Sequence, residues 1–110
     1  MKKSNKIYIL QILDAVRKIS KYTAKVDFKK FVKKEEKQSA VIMQLILIGE
    51  ISKKLTASYK TKIKLPWKQI AGFRDRAVHK YFSLDLRDLW QTVEHDIPEI
   101  EKHLKHSPLT

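Results

Sequence analysis

Phe73-Arg-Asp-Arg-Ala-Val-His-Lys-Tyr-Phe82 places a guanidinium (Arg74), an imidazole (His79) and a phenol (Tyr81) within eight residues, an Arg-x4-His-x-Tyr arrangement unmatched elsewhere in the chain. Cleaving a phosphodiester without a metal calls for such parts: an imidazole to move protons near neutral pH and a guanidinium to hold phosphate charge. RNA is the first substrate that this chemistry points to. On a continuous helix Asp75 and His79 are four residues apart and therefore neighbours, so the carboxylate can orient the ring as an acid/base pair. Arg74 and Tyr81, seven apart, share a face, whereas Arg74 and His79, five apart, lie about 140° round the cylinder from each other. One helix of one copy therefore does not make a compact site. Either the helix ends near His79, so that Tyr81 and Phe82 turn away, or a second copy faces the first across a shared cleft and doubles the imidazoles. The plainer reading of the same residues is a surface or core histidine, with Arg74 paired to Asp75 or Asp85.

The elements that must position these groups are read from apolar spacing and capping residues. Ser4 is a candidate cap for a first helix over roughly residues 5–25, with Ile9, Ile12, Leu13, Val16 and Ile19 as its buried stripe. Asp27 opens a short basic helix, Phe28 to Lys34. From about Glu36 to Leu55 runs a helix apolar nearly all round, as expected of an element buried against several neighbours. Gly49 interrupts it at about 1 kcal/mol of helix propensity, tolerable where another helix approaches closely. Residues 56–65 read as a polar loop ending at Pro66, which starts the helix carrying Arg74 and His79. The pattern loosens at Tyr81–Leu84, Asp85 caps the next helix (Leu86, Leu89, Trp90, Val93), and Pro98 kinks or restarts the chain before a last amphipathic stretch through Ile100 and Leu104. The tail after His106 is expected to fray. The expectation is an all-α bundle of four or five helices in a single domain spanning residues 1–110.

Composition agrees. The 110 residues are 43% hydrophobic with two glycines, three prolines and no cysteine, which favours long helices and removes disulfides and thiolate chemistry. The apolar runs Ile7–Leu10 and Ala40–Ile48 are broken by Gln11 and Asp14 and by Gln44 and Glu50, too short for a signal core or a span, so a soluble, cytoplasmic protein is expected. The net charge of +12 is concentrated in the first half: residues 1–37 carry +8, residues 38–64 carry +4 and residues 65–110 are balanced. Such a field attracts polyanions, although solvated lysines explain it equally. Arg76, Lys80, Lys33 and Lys34 are the candidate RNA contacts. Glu99, His103 and His106 stand near metal-ligand spacing, but imidazoles in a last helical turn also complement the helix dipole, and no metal or cofactor is assigned. Trp67 and Trp90 occupy stripe positions and read as core or dimer contacts. A membrane-surface helix is a poorer reading, because the lysine-rich segments lack a strong aromatic and leucine face.

Gly72-Phe-Arg-Asp-Arg-Ala-Val-His-Lys-Tyr-Phe-Ser-Leu-Asp-Leu86, followed by Leu89-Trp-Gln-Thr-Val-Glu-His-Asp-Ile-Pro-Glu-Ile100, strongly resembles the HepT toxins of the HEPN ribonuclease superfamily. The match is close over residues 66–101, and Ile48-Gly-Glu50 fits within the long central helix. The resemblance places the Arg-x4-6-His signature on Arg74 and His79, with Asp75 as the supporting polar residue where more typical relatives carry asparagine. It implies an all-helical homodimer with a metal-independent endoribonuclease site at the dimer cleft, acting as the toxin of a toxin-antitoxin pair. It also implies an MNT-type nucleotidyltransferase antitoxin as partner, transferring AMP from ATP to Tyr81. The alternative is a non-catalytic basic module that binds nucleic acid or such a partner; the intact Arg/His pair argues against it.

Overall fold

The computed structural model describes residues 4–106; the expected fraying after His106 lies outside them. Among the described residues the chain forms helices and no strands: α1 (Asn5–Thr23), α2 (Phe28–Val32), α3 (Glu35–Ser52), α4 (Ala57–Lys62), α5 (Trp67–His79), a 3-10 turn (Tyr81–Ser83), α6 (Leu86–Gln91) and α7 (Ile97–Lys105). A π-helical stretch, Thr92–Asp96, joins α6 to α7 in one rod. Pro98 has no N–H to offer the Glu94 carbonyl and its ring would crowd that oxygen. The Ile97 N–H reaches back five residues to the Thr92 carbonyl, and the helix widens there instead of breaking.

The expected stripe of α1 is the buried one, Ile9, Ile12, Val16 and Ile19, joined by Ala15, with Leu13 only partly covered. Ser4 stands at the N-cap position without a side-chain cap bond, and its carbonyl alone receives the first amides. The helix stops two residues short of the expected end, and Lys25 turns the chain at φ 59°. Asp27 and Asp85 do cap: Asp27 accepts from the Lys30 amide at 2.8 Å, and Asp85 accepts from the Arg87 and Asp88 amides at 2.7 and 3.3 Å. The first turn of α3 closes the ends of its predecessors, Lys37 Nζ donating to the Tyr22 carbonyl and Gln38 Nε2 to the carbonyls of Phe31 and Val32.

Two expectations need correction. Residues 56–65 are not a loop throughout, because Thr56 accepts from the Tyr59 amide at 3.2 Å, Tyr59 is buried, and a short helix results. With α4 the described residues form six helical rods, counting α6–α7 as one, and not four or five. Nor is α3 covered all round. Val41, Leu45 and Ile48 are buried between α1 and α5, but Met43 and Leu47 are 54% and 39% exposed. The core continues through Phe31, buried beneath Trp90 with ring centroids 4.9 Å apart, to Leu89, Ile97, Ile100 and Leu104 on the last rod. Trp90 is thus a core residue, and the partly buried Trp67 donates its indole N–H to the carbonyls of Ile63 and Lys60.

Candidate active site

Helix α5 lies along α3, and at Gly49 the two come close. A methyl group on Gly49 would overlap Cβ of Arg74 and stand 3.1 Å from both Arg74 Cγ and the Ile70 carbonyl oxygen. The missing side chain is what lets the Arg74 stem lie against the backbone of α3. Its head group is gripped there: Nη2 donates to Glu50 Oε2 and Nη1 to Asp75 Oδ1, each at 3.1 Å. Asp75 Oδ1 also receives Lys53 Nζ at 3.2 Å, so two carboxylates and two cations alternate along the α3–α5 seam. The Arg74 hydrogen bond, then that of Lys53, holds the Asp75 carboxyl below the usual carboxylate range. Arg74 is left 24% exposed, and no acceptor among the described residues reaches its buried Nε.

His79 is the last residue of α5 and is exposed. Because α5 is helical through residues 74–79, the 140° separation from Arg74 applies: one group is pressed on α3 and the other faces outward. Among the described residues no hydrogen bond or ion pair joins His79 to Arg74 or to Asp75, whose Oδ1 is held by Arg74 and Lys53 instead. Asp85, the other partner considered for Arg74, is occupied as the α6 cap.

The helix ends at His79, so the seven-residue argument that put Arg74 and Tyr81 on one face does not apply. Lys80 leaves the helix at φ −136°, ψ 43°, and Tyr81 swings towards the start of α3, where its hydroxyl meets Ser39 Oγ at 3.0 Å. Phe82 packs edge-on against the Tyr81 ring and is fully exposed. Arg76 and Lys80 border a cleft of about 190 Å³ with Phe73, Leu84, Asp85 and Asp88, on the side of α5 away from Arg74. Lys33 and Lys34 are exposed at the α2–α3 junction, the end of α3 that carries Ser39. His103 Nδ1 lies 2.8 Å from the Glu99 carbonyl oxygen of its own helix, and the described residues hold no cluster of three or more metal-ligating side chains.

Glu50, Lys53 and Ser39 are the site residues that spacing did not reveal. Ser39 and Glu50 lie on α3 and Lys53 at its C-cap, each more than twenty residues from its partner in sequence, and only the glycine within the Ile-Gly-Glu stretch marked a close approach.

An all-helical bundle that sets a half-buried, carboxylate-gripped arginine and an exposed histidine on one helix defines a class: helical bundles that carry a cation and an imidazole on a single helix. The comparisons give that class a family. Residues 12–107 match the model of the family described as Ribonuclease HepT-like. The chain is 38% identical over 102 residues to a probable ribonuclease HepT of Thermococcus cleftensis, covering 92% of this chain and 93% of that protein. It is 36% identical to a putative RNase of Caldanaerobacter subterraneus subsp. tengcongensis, covering 94% and 93%, and 31% identical to one of Methanocaldococcus jannaschii, covering 94% and 96%. No solved structure matches. The chain belongs to the HepT-like ribonuclease family, within the HEPN superfamily.

Proposed function

We propose that the protein is a metal-independent endoribonuclease toxin that acts as a homodimer. The observation that carries this reading is the division of α5, with Arg74 fixed on α3 and His79 turned outward at the helix end. Facing copies would bring two such imidazoles and two guanidinium groups to one cleft. In that cleft the ribose 2′-hydroxyl attacks the adjacent phosphorus and the bond to the 5′-oxygen breaks. One His79 takes the hydroxyl proton, the other gives a proton to the leaving oxygen, and Arg74 holds the charge gathering on the phosphoryl oxygens. Asp75 steadies Arg74, while Arg76, Lys80, Lys33 and Lys34 provide exposed cations for the RNA backbone. The apolar residues left open at Met43, Leu47, Val78 and Phe82 are suited to burial against a second copy.

Tyr81 is the proposed control point. An MNT-type nucleotidyltransferase antitoxin, using ATP, would place AMP on its hydroxyl and put a bulky phosphodiester two residues beyond His79, at the end of α5. Purified protein incubated with RNA in excess chelator is expected to cleave it, and His79→Ala to abolish cleavage. No cleavage of any RNA by unmodified protein would overturn the proposal. Mass spectrometry of Tyr81 after co-expression with such a nucleotidyltransferase tests the control point, for which persistent absence of an adduct is the adverse result.

A further inference from the structure

We propose that Glu50 is a positioning residue for Arg74, with Gly49 supplying the space that makes the position reachable. The inference rests on Arg74 being the phosphate-holding group.

A guanidinium carries five N–H donors in a planar fork, one on Nε and two on each terminal nitrogen. In Arg74 the Nε is buried without an acceptor among the described residues, Nη2 spends one hydrogen on Glu50, and Nη1 spends one on Asp75. One hydrogen on each terminal nitrogen remains, the pair that a phosphate can take. Which way that pair points depends on what holds the rest of the group. The stem is confined at Gly49, where the α3 backbone meets Arg74 Cβ, and the plane is fixed by the two carboxylates. Asp75 is a neighbour on the same helix and is itself anchored by Lys53 at the C-cap of α3. Glu50 is the carboxylate that ties the head group directly to the opposite helix, across 24 residues of sequence. Gly49, Glu50 and Lys53 fall at spacings of one, three and four residues, so the last turn of α3 and its C-cap supply the space, the acceptor and the counter-charge.

The test is cleavage of a fluorescent RNA oligonucleotide by the full chain carrying Glu50→Ala, Glu50→Gln, Arg74→Lys or Arg74→Lys with Glu50→Ala. Glu50→Ala is expected to lower kcat about 10- to 100-fold, the scale of a misplaced catalytic group, with KM changed less than about threefold, since only transition-state contacts are lost. Glu50→Gln keeps an oxygen acceptor and is expected to recover most of the rate. Lysine keeps the charge of Arg74 but not the fork, so adding Glu50→Ala to Arg74→Lys is expected to cost less than about threefold more. Full loss in that background, or faster cleavage by Glu50→Ala, overturns the proposal; the second result would make Glu50 a competitor of the phosphate. Nitrogen-15 relaxation of the Arg74 Nε–H gives a readout independent of turnover. That group is expected to be ordered in the unsubstituted protein and mobile in Glu50→Ala, and equal order in both overturns the inference. If the unsubstituted protein cleaves no RNA, the ribonuclease reading fails while this measurement still decides whether Glu50 holds Arg74.

Discussion

Alanine should be better tolerated in place of Gly72 than in place of Gly49, although the two helices pack together. Both Gly49 in α3 and Gly72 in α5 are helical with negative φ, so each alanine gains about 1 kcal/mol of helix propensity. At Gly72 nothing lies within 4 Å of the added methyl, and that gain is the whole effect. At Gly49 the methyl overlaps Arg74 Cβ and stands 3.1 Å from two further atoms, whereas unstrained carbon contacts lie at about 3.5–4.0 Å. Arg74 Cβ is fixed to its own backbone and cannot rotate away, so relief requires α3 and α5 to separate. Overpacking of this kind costs about 1–3 kcal/mol. Subtracting the Gly72→Ala result from that of Gly49→Ala removes the shared propensity gain, and the difference should be about 1–3 kcal/mol in favour of Gly72→Ala. Urea unfolding followed by circular dichroism, with slopes checked for equality, measures both. If the two variants are stabilised equally, α3 and α5 do not touch at Gly49, and the account of how Arg74 is placed fails with it.

Phe31→Ala removes a fully buried ring packed at a tilt against Trp90 and should cost about 3–5 kcal/mol while shifting Trp90 fluorescence to the red; a loss below about 1 kcal/mol would contradict the packing. For Asp75 the sign follows from its lowered pKa: its contribution is present above the carboxyl's unfolded pKa and fades as pH falls through the folded one. Asp75→Asn should therefore destabilise at neutral pH and lose its effect in acid, and the Asp75 carboxyl should titrate by NMR below the usual carboxylate range. A midpoint at or above that range would mean that Arg74 and Lys53 do not grip it.

Much of the scaffold could be read from spacing because its signals are local. The α1 stripe and the Asp27 and Asp85 caps each involve residues within a few positions of one another, and the structure has both caps and all of the stripe but the half-buried Leu13. Helix α4 was missed because its cap, Thr56, was read as one more polar loop residue, and because the burial of Tyr59 depends on tertiary packing. The exposure of Met43 and Leu47 was invisible for the same reason: a helix apolar all round does not say which side its neighbours leave open. At the site, the α5 spacing correctly separated Arg74 from His79, since that is a property of one helix. What Arg74 rests on required α3, and where Tyr81 goes required knowing that α5 ends at His79.

Two of the contacts that α3 makes with α5 and its C-terminal turn are Ser39 against Tyr81 and Gly49–Glu50 against Arg74. Eleven residues separate Ser39 from Glu50, about 16 Å of straight helix. That stretch works as a ruler, and rulers do not tolerate lost graduations. Deleting one residue between them would shift one contact by about 1.5 Å and rotate it by about 100° relative to the other, so both could not be kept. The segment after Lys53, up to Pro66, carries no such constraint, as its short helix is tied down mainly at Thr56, Tyr59 and Trp67. Length variation among descendants of this chain should accumulate there and spare the interior of α3.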